Sequence, residues 1–191
     1  MGRWEPDARE RLVRAALDLF GEQGYENTSV AQIAERAGLT KSTYFRHFKD
    51  KREVLFGGQD ELVGLIVAGI AGTPESAGAL AAVEGALVAM AVTFTQDRWA
   101  NGPRRLAVIE SNDELRERDA LKMAGFGRTI RDALRRRGVP ELDADVAAEL
   151  GILALRRGYA RWLEAGGDFA DVARRALEEV RIAAASLEGA E

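Results

Sequence analysis

The side chains best suited to chemistry lie in one stretch, Ser29 to Phe48, which reads SVAQIAERAGLTKSTYFRHF. Within it Lys41, Ser42, Thr43, Tyr44, Arg46 and His47 are interrupted only by Phe45. Hydroxyls and cations at that density suit a polyanion. Hydroxyls and backbone N–H groups meet phosphates, and basic side chains reach phosphates or guanine edges. The charge distribution agrees. The whole chain carries a formal net charge of −4, yet residues 36–52 hold Arg36, Lys41, Arg46, Lys49, Lys51 and Arg52 against Asp50 alone. A basic patch on an acidic protein fits contact with nucleic acid at one place only. The plainer alternative is a solvated basic face.

Other chemistry finds few residues to carry it. His47 is the one histidine, and there is no cysteine. A catalytic histidine needs a nucleophile or carboxylate partner, and the basic neighbours of His47 discourage its protonation. A metal site asks for more nitrogen or sulfur ligands than this chain offers. Phosphate-cradling glycine loops and a nucleophile-elbow serine are also missing. The sequence therefore reads as a non-enzyme with no catalytic residues, no metal and no cofactor. The alternative is a helical small-molecule-binding protein or enzyme without DNA regulation. The lack of cysteine is compatible with the cytoplasm, and the polar start Met1–Asp7 has no signal-peptide character. The longest apolar run, Leu62 to Gly72, falls short of the roughly 18 residues of a membrane span.

The elements that position Ser29–Phe48 are helices. Ala, Leu, Glu and Arg dominate, and alternating β-branched runs are lacking, so the fold class is all-α with about nine helices. Pro6 suits the first turn of a helix to about residue 22, with Leu12, Val13, Ala16, Leu17 and Phe20 on one face. Ser29 and Gln32 have the spacing of a capping box. Gly38 stands where the backbone needs a positive φ. Thr40 caps a helix over 41–47. Two short capped helices across a glycine turn define a helix-turn-helix. Its small core is expected from Val30, Ile33, Ala34, Ala37, Leu39, Phe45 and Phe48, with Tyr44 facing outward. A fourth helix is predicted over 51–72, then others over 75–97, 103–111, 113–137, 143–165 and 168–188. The implied division is 1–56, a three-helix helix-turn-helix domain, and 57–191, a larger helical domain.

These residues resemble the TetR family of regulators. The resemblance spans about residues 8–56 and rests on Phe20, Gly24, Thr28-Ser29-Val30, Ile33-Ala34, Ala37-Gly38-Leu39-Thr40-Lys41, Thr43, Phe45, Phe48 and Lys51. It implies that Ser29, Thr40, Tyr44, His47 and Lys51 touch phosphates, with Lys41, Ser42, Thr43 and Arg46 at base edges. The family often has Leu-Tyr where this chain has Tyr44-Phe45. A hydroxyl thus stands one position early. Ser42 replaces a common Gly, and Arg52 replaces a common acid. The resemblance further implies a cytoplasmic homodimer, a repressor of palindromic operator DNA released by a small, largely apolar effector.

In the second domain Met90, Phe94, Trp99, Met123, Phe126, Tyr159 and Trp162 could line an effector pocket, although each alone reads as core. Arg104, Arg105, Asn112 and Arg156 are candidate polar contacts in it. Arg135-Arg136-Arg137 could be a second nucleic-acid patch, but before Gly138 it better suits a helix C-terminus. Gly151, Ala154, Gly158, Ala173, Ala176, Ala183 and Ala184 on the last two helices suggest a close-packed dimer interface, with ordinary packing inside one chain as the plainer alternative. Gly57-Gly58, placed inside helix 51–72, would soften a lever between the domains; the plainer alternative is that close packing against helix 8–22 explains one of the two.

Overall fold

A computed structural model describes residues 8–187; Pro6 and the Met1–Asp7 start lie outside the described residues. These form helices α1 (Ala8–Gln23), α2 (Val30–Arg36), α3 (Lys41–His47), α4 (Glu53–Phe56), α5 (Gln59–Ala71), α6 (Ala79–Met90), α7 (Gln96–Glu110), α8 (Asp113–Arg136), α9 (Glu141–Ala165) and α10 (Phe169–Ser186), and no strand. The protein is all-α. Its chain separates into two compact units. One runs to Gly58 and takes in Ala100–Asp119, and the other comprises Gln59–Trp99 and the chain from Ala120 onward.

In the first unit α1 buries Leu12, Ala15, Ala16, Leu17, Leu19 and Phe20. They share a core with Ile33, Ala34, Tyr44, Phe48, Val54, Leu55 and Phe56, and with Val108, Ile109 and Leu115. Thus a segment from much later in the chain, within Ala100–Asp119, completes the core of the N-terminal helices. Polar ties follow the same route: Arg104 pairs with Asp18, Arg52 with Glu114 at 2.8 Å and Arg118 with Glu53 at 3.1 Å. The Arg105 Nε donates to the Leu55 carbonyl at 2.6 Å, and Asn112 donates to Glu26 at 2.8 Å. Arg104, Arg105 and Asn112 therefore belong to this unit and not to the region expected to bind an effector.

The second unit packs α5, α6, α9, α10 and the body of α8 around Leu62, Ile66, Ile70, Val83, Leu87, Phe126, Ile130, Leu155 and Trp162. At the α5–α6 crossing a Cβ on Gly69 would lie 2.4 Å from the Gly85 carbonyl oxygen. Only glycine at these positions allows so close an approach.

Two boundaries differ from the sequence expectation. The predicted helix 51–72 is two helices, α4 and α5, interrupted at Gly57-Gly58; Gly57 is extended (ψ 150°) and Gly58 has φ +89°. The pair therefore ends a helix and does not soften one. The break expected at Asn101-Gly102-Pro103 comes earlier, after Met90, through a short 3₁₀ turn at Ala91–Thr93. Pro103 sits inside α7, where it has no N–H to give the carbonyl of Trp99. The division between units falls at that residue. The stretch Glu53–Ala71, which contains both α4 and α5, is apolar enough by composition to cross a membrane, with a mean hydropathy of 1.5 in its most apolar 18-residue window. Its apolar side chains are used in packing: Val54, Leu55 and Phe56 are buried in one core, and Leu62, Ile66 and Ile70 in the other.

Candidate nucleic-acid interface

The local sequence explains how α2 and α3 are set. Ser29 forms the full capping box. Its backbone N–H donates to the Gln32 side chain at 2.8 Å, and its hydroxyl accepts from the Gln32 N–H at 3.3 Å. Gly38 turns the chain at φ +66°. The Thr40 hydroxyl accepts from the Thr43 N–H at 3.1 Å and meets the Thr43 hydroxyl at 3.0 Å. Arg11 ties α1 to the turn by donating to the Ala37 carbonyl. Thr28, not singled out as structural from the sequence, is buried and donates to the Gly24 carbonyl at 2.8 Å.

Helix α3 divides sharply into two faces. Tyr44 and Phe48 point inward, whereas Lys41, Ser42, Phe45, Arg46 and His47 are exposed and Thr43 is half-buried. Two expectations are corrected. Tyr44 is 0% exposed, so it cannot reach a phosphate; its hydroxyl donates to the Asp50 carbonyl at 3.1 Å. Phe45 is 48% exposed, so it is no part of the core. The physical reason is register. Positions 44 and 48 are one turn apart and share the inner face, and the hydroxyl at 44 finds a buried acceptor. Burial pushes the Tyr44 phenol well above its ordinary pKa, and raises that of Tyr25 to about 12.

The basic patch is smaller than its residue count. Arg36 forms a two-pronged pair with Glu22 at 2.9 and 2.8 Å, and Arg52 pairs with both Asp50 and Glu114. The guanidinium of Arg36 holds the Glu22 carboxyl below its usual range. Lys51, expected as a phosphate clamp, donates to the Tyr25 carbonyl at 2.7 Å with its ammonium 4.0 Å from the Tyr25 ring centre. The structure thus gives Lys51 a scaffolding role. Lys41, Arg46 and Lys49 are the cations of this segment that are exposed on or beside α3. Ser29 and Thr40 lie exposed at the starts of α2 and α3.

The seven apolar candidates of the second unit all belong to one cluster. Met90, Phe126 and Trp162 are buried in it, with Phe94, Trp99, Met123 and Tyr159 packed against it. Phe94 stacks on Phe169 at 3.5 Å between ring centres and meets Trp162 edge-on at 5.3 Å. Both indole N–H groups are satisfied: Trp99 donates to the Trp162 carbonyl at 2.8 Å, and Trp162 to the Gly167 carbonyl at 3.0 Å. The Tyr159 hydroxyl is buried and has no hydrogen-bond partner among the described residues. Lys122, missed from the sequence, is 4% exposed with its ammonium 5.6 Å from the Phe126 ring centre. Its place one turn before Phe126 and one after Arg118 was the available signal. Arg137 donates to the carbonyls of Ile70, Thr73 and Pro74, each at 2.7 Å. Within that basic run Arg137 is structural.

A capped two-turn helix, a glycine turn and a second capped helix with a cationic outer face are a helix-turn-helix of the nucleic-acid-binding kind. Comparison with known proteins places it further. Residues 12–57 match the model of the bacterial regulatory proteins, tetR family. Over 46 residues the chain is 54% identical to the transcriptional regulator TcmR of Streptomyces glaucescens, which is 24% of this chain and 20% of that protein. It is 40% identical over 48 residues to AcrR of Shigella flexneri, 25% of this chain and 22% of that protein. The match thus spans about a fifth of the length of these curated relatives. The likeness of fold extends over nearly the whole chain. SmeT, solved as a triclosan complex, superposes with a TM-score of 0.59 at 19% identity over 92% of this chain and 90% of that one. NalD, the secondary repressor of a multidrug efflux pump in Pseudomonas aeruginosa, does so at 0.57 and 20% identity over 91% and 94%.

Proposed function

We propose that this chain is a ligand-responsive transcription regulator, a repressor, that binds palindromic operator DNA as a homodimer. The observation that carries the reading is the outer face of α3: Lys41, Ser42 and Arg46 exposed side by side on a helix anchored from behind by Tyr44 and Phe48. A helix so presented fits a major groove, with its N-terminal residues towards base edges. Thr43 and His47 flank the same face, while Ser29 and Thr40 meet the phosphates on either side.

The apolar cluster around Phe94, Tyr159 and Trp162 is the proposed effector region, and the buried Tyr159 hydroxyl is its polar handle. A buried hydroxyl without an acceptor costs about 1–3 kcal/mol, which an effector bearing an acceptor would relieve. The effector is accordingly a small, largely apolar molecule, in keeping with the triclosan named for SmeT. Self-association is assigned to the outer face of α9 and α10. There Leu142, Val146, Leu153, Ile182 and Leu187 are exposed, beside a shallow groove of about 390 Å³ lined by Leu150, Leu153, Val180 and Leu187.

Footprinting on the DNA that flanks the protein's own gene tests the reading. Two protected half-sites related by a dyad, about 34–36 Å or a multiple of it apart, are the expected result. No protection at low salt, where even weak contacts to phosphate hold, would sink it.

A further inference from the structure

Helix α3 carries one outward side chain that contact with phosphate does not explain. Phe45 is 48% exposed, on the same face as Lys41 and beside Ser42 and Arg46. A lone exposed aromatic is ordinary on a protein surface, so exposure alone says little. The ring's setting says more. Lys41 places its ammonium 5.9 Å from the ring centre, and Tyr44 meets the ring edge-on at 5.6 Å and 83°. Two contacts thus flank the ring in the middle of the reading helix, on a face otherwise made of cations and hydroxyls. That company suits a polyanion and not an apolar protein partner. Phenylalanine offers no hydrogen bond to a phosphate or to a base edge. Among the groups that base edges present in the major groove, the apolar one is the C5-methyl of thymine.

We infer that Phe45 is a base-reading residue whose ring covers the C5-methyl of one thymine in each operator half-site. The inference rests on the proposed binding of DNA. It makes a specificity residue of a position that sequence reasoning assigned to the core. Phe45 would then discriminate thymine from cytosine by burial of a methyl group, while Lys41 and Arg46 supply the polar contacts on either side.

The test uses the full-length protein and duplexes selected from a random-sequence pool, with affinities measured by fluorescence anisotropy at one fixed salt concentration. Each thymine of the selected site is replaced in turn by deoxyuridine, which keeps the Watson–Crick edge and lacks only the methyl. One thymine per half-site should be sensitive, with affinity falling about fourfold per half-site, the effect of one buried methyl. Phe45→Ala should abolish that difference, binding the thymine and deoxyuridine duplexes equally, with an unchanged urea midpoint because the ring is not in the core. At the sensitive position 5-methylcytosine should bind the wild type more tightly than cytosine does. Indifference to deoxyuridine at every thymine, or a penalty that persists in Phe45→Ala, overturns the inference while leaving DNA binding intact. A pool that enriches no sequence overturns the DNA-binding reading, and the inference falls with it.

Discussion

At residue 44 a hydroxyl and at residue 45 a bare ring sit in opposite environments, and the difference fixes what each can do. Tyr44 is fully buried and donates to the Asp50 carbonyl. Tyr44→Phe should therefore cost about 0.5–1.5 kcal/mol, the net worth of one hydrogen bond. Tyr44→Ala should cost about 3–5 kcal/mol, as for other large aromatics removed from a core. Urea denaturation followed by circular dichroism checks both, and a Tyr44→Ala protein as stable as wild type would refute the burial. Alkali makes a related prediction. Burial raises the pKa of Tyr25 from 10.0 to about 12 and that of Tyr44 further still. The neutral phenols are favoured in the folded state, so their contribution is complete below pH 10.0 and is lost as pH rises through about 12. The first unit should lose stability in that window, with tyrosinate absorbance rising as it unfolds. Tyr25→Phe should flatten the decline; an unchanged alkaline midpoint would tell against the assignment. The sequence could not show which aromatic faced inward, because hydropathy favours Phe45. The decisive facts were the one-turn spacing of 44 from 48 and a backbone acceptor at Asp50, which only the fold supplies.

The elements were legible wherever caps and turns act locally. Ser29 with Gln32, Gly38 and Thr40 announce α2 and α3 because each satisfies or bends its own neighbouring backbone. Elements failed where distant packing decides. Pro103 lies inside α7 although it reads as the end of a break and the first residue of a helix. The Arg104–Asn112 region packs with the N-terminal helices, a relation that no local signal carries. Gly57-Gly58 is the instructive case. As interior helix glycines they would be improved by alanine, at about 1 kcal/mol each. As observed they terminate α4, and the sign reverses. Gly58 has φ +89°, where an L side chain is strained. A Cβ on Gly57 would lie 2.9 Å from the Glu53 carbonyl oxygen and 2.9 Å from the Arg9 guanidinium. Gly58→Ala should lower the stability of the first unit by about 1–2 kcal/mol, and the double change by more. A thermal melt that rises instead would restore the interior-helix view and with it the soft lever.

For the whole molecule the question is which surface would hold two copies together in the proposed dimer, and of the small residues of α9 and α10 only Ala183 and Ala184 lie at the groove assigned to it. Gly158 packs within the chain, where a Cβ would sit 3.5 Å from the Ala176 side chain and 3.6 Å from the Ala173 backbone. Gly151, Ala154, Ala173 and Ala176 are likewise buried. Gly158, Ala173 and Ala176 bring α9 against α10 within the chain, while Gly151 faces Val83 of α6 and Ile130 of α8. The unpartnered surface lies on the other side of the pair, at Leu142, Val146 and Leu153 along α9 and Ile182 and Leu187 along α10. Apolar side chains at spacings of four and seven on a helix form a continuous stripe, and a stripe left in water is a candidate interface. The two faces make opposite predictions. Ala176→Glu drives a carboxylate into a packed interior and should unfold the second unit, by several kcal/mol, in a urea titration. Leu153→Glu together with Ile182→Glu should leave the helical circular dichroism and the urea midpoint of the monomer intact. It should turn a dimer into a monomer in sedimentation velocity at micromolar concentration. Footprinting by that monomer should then weaken at both half-sites together, since each half-site would lose the tethering of its partner. A Leu153→Glu/Ile182→Glu protein that sediments as wild type would place the contact elsewhere, and the exposed stripe would need another partner.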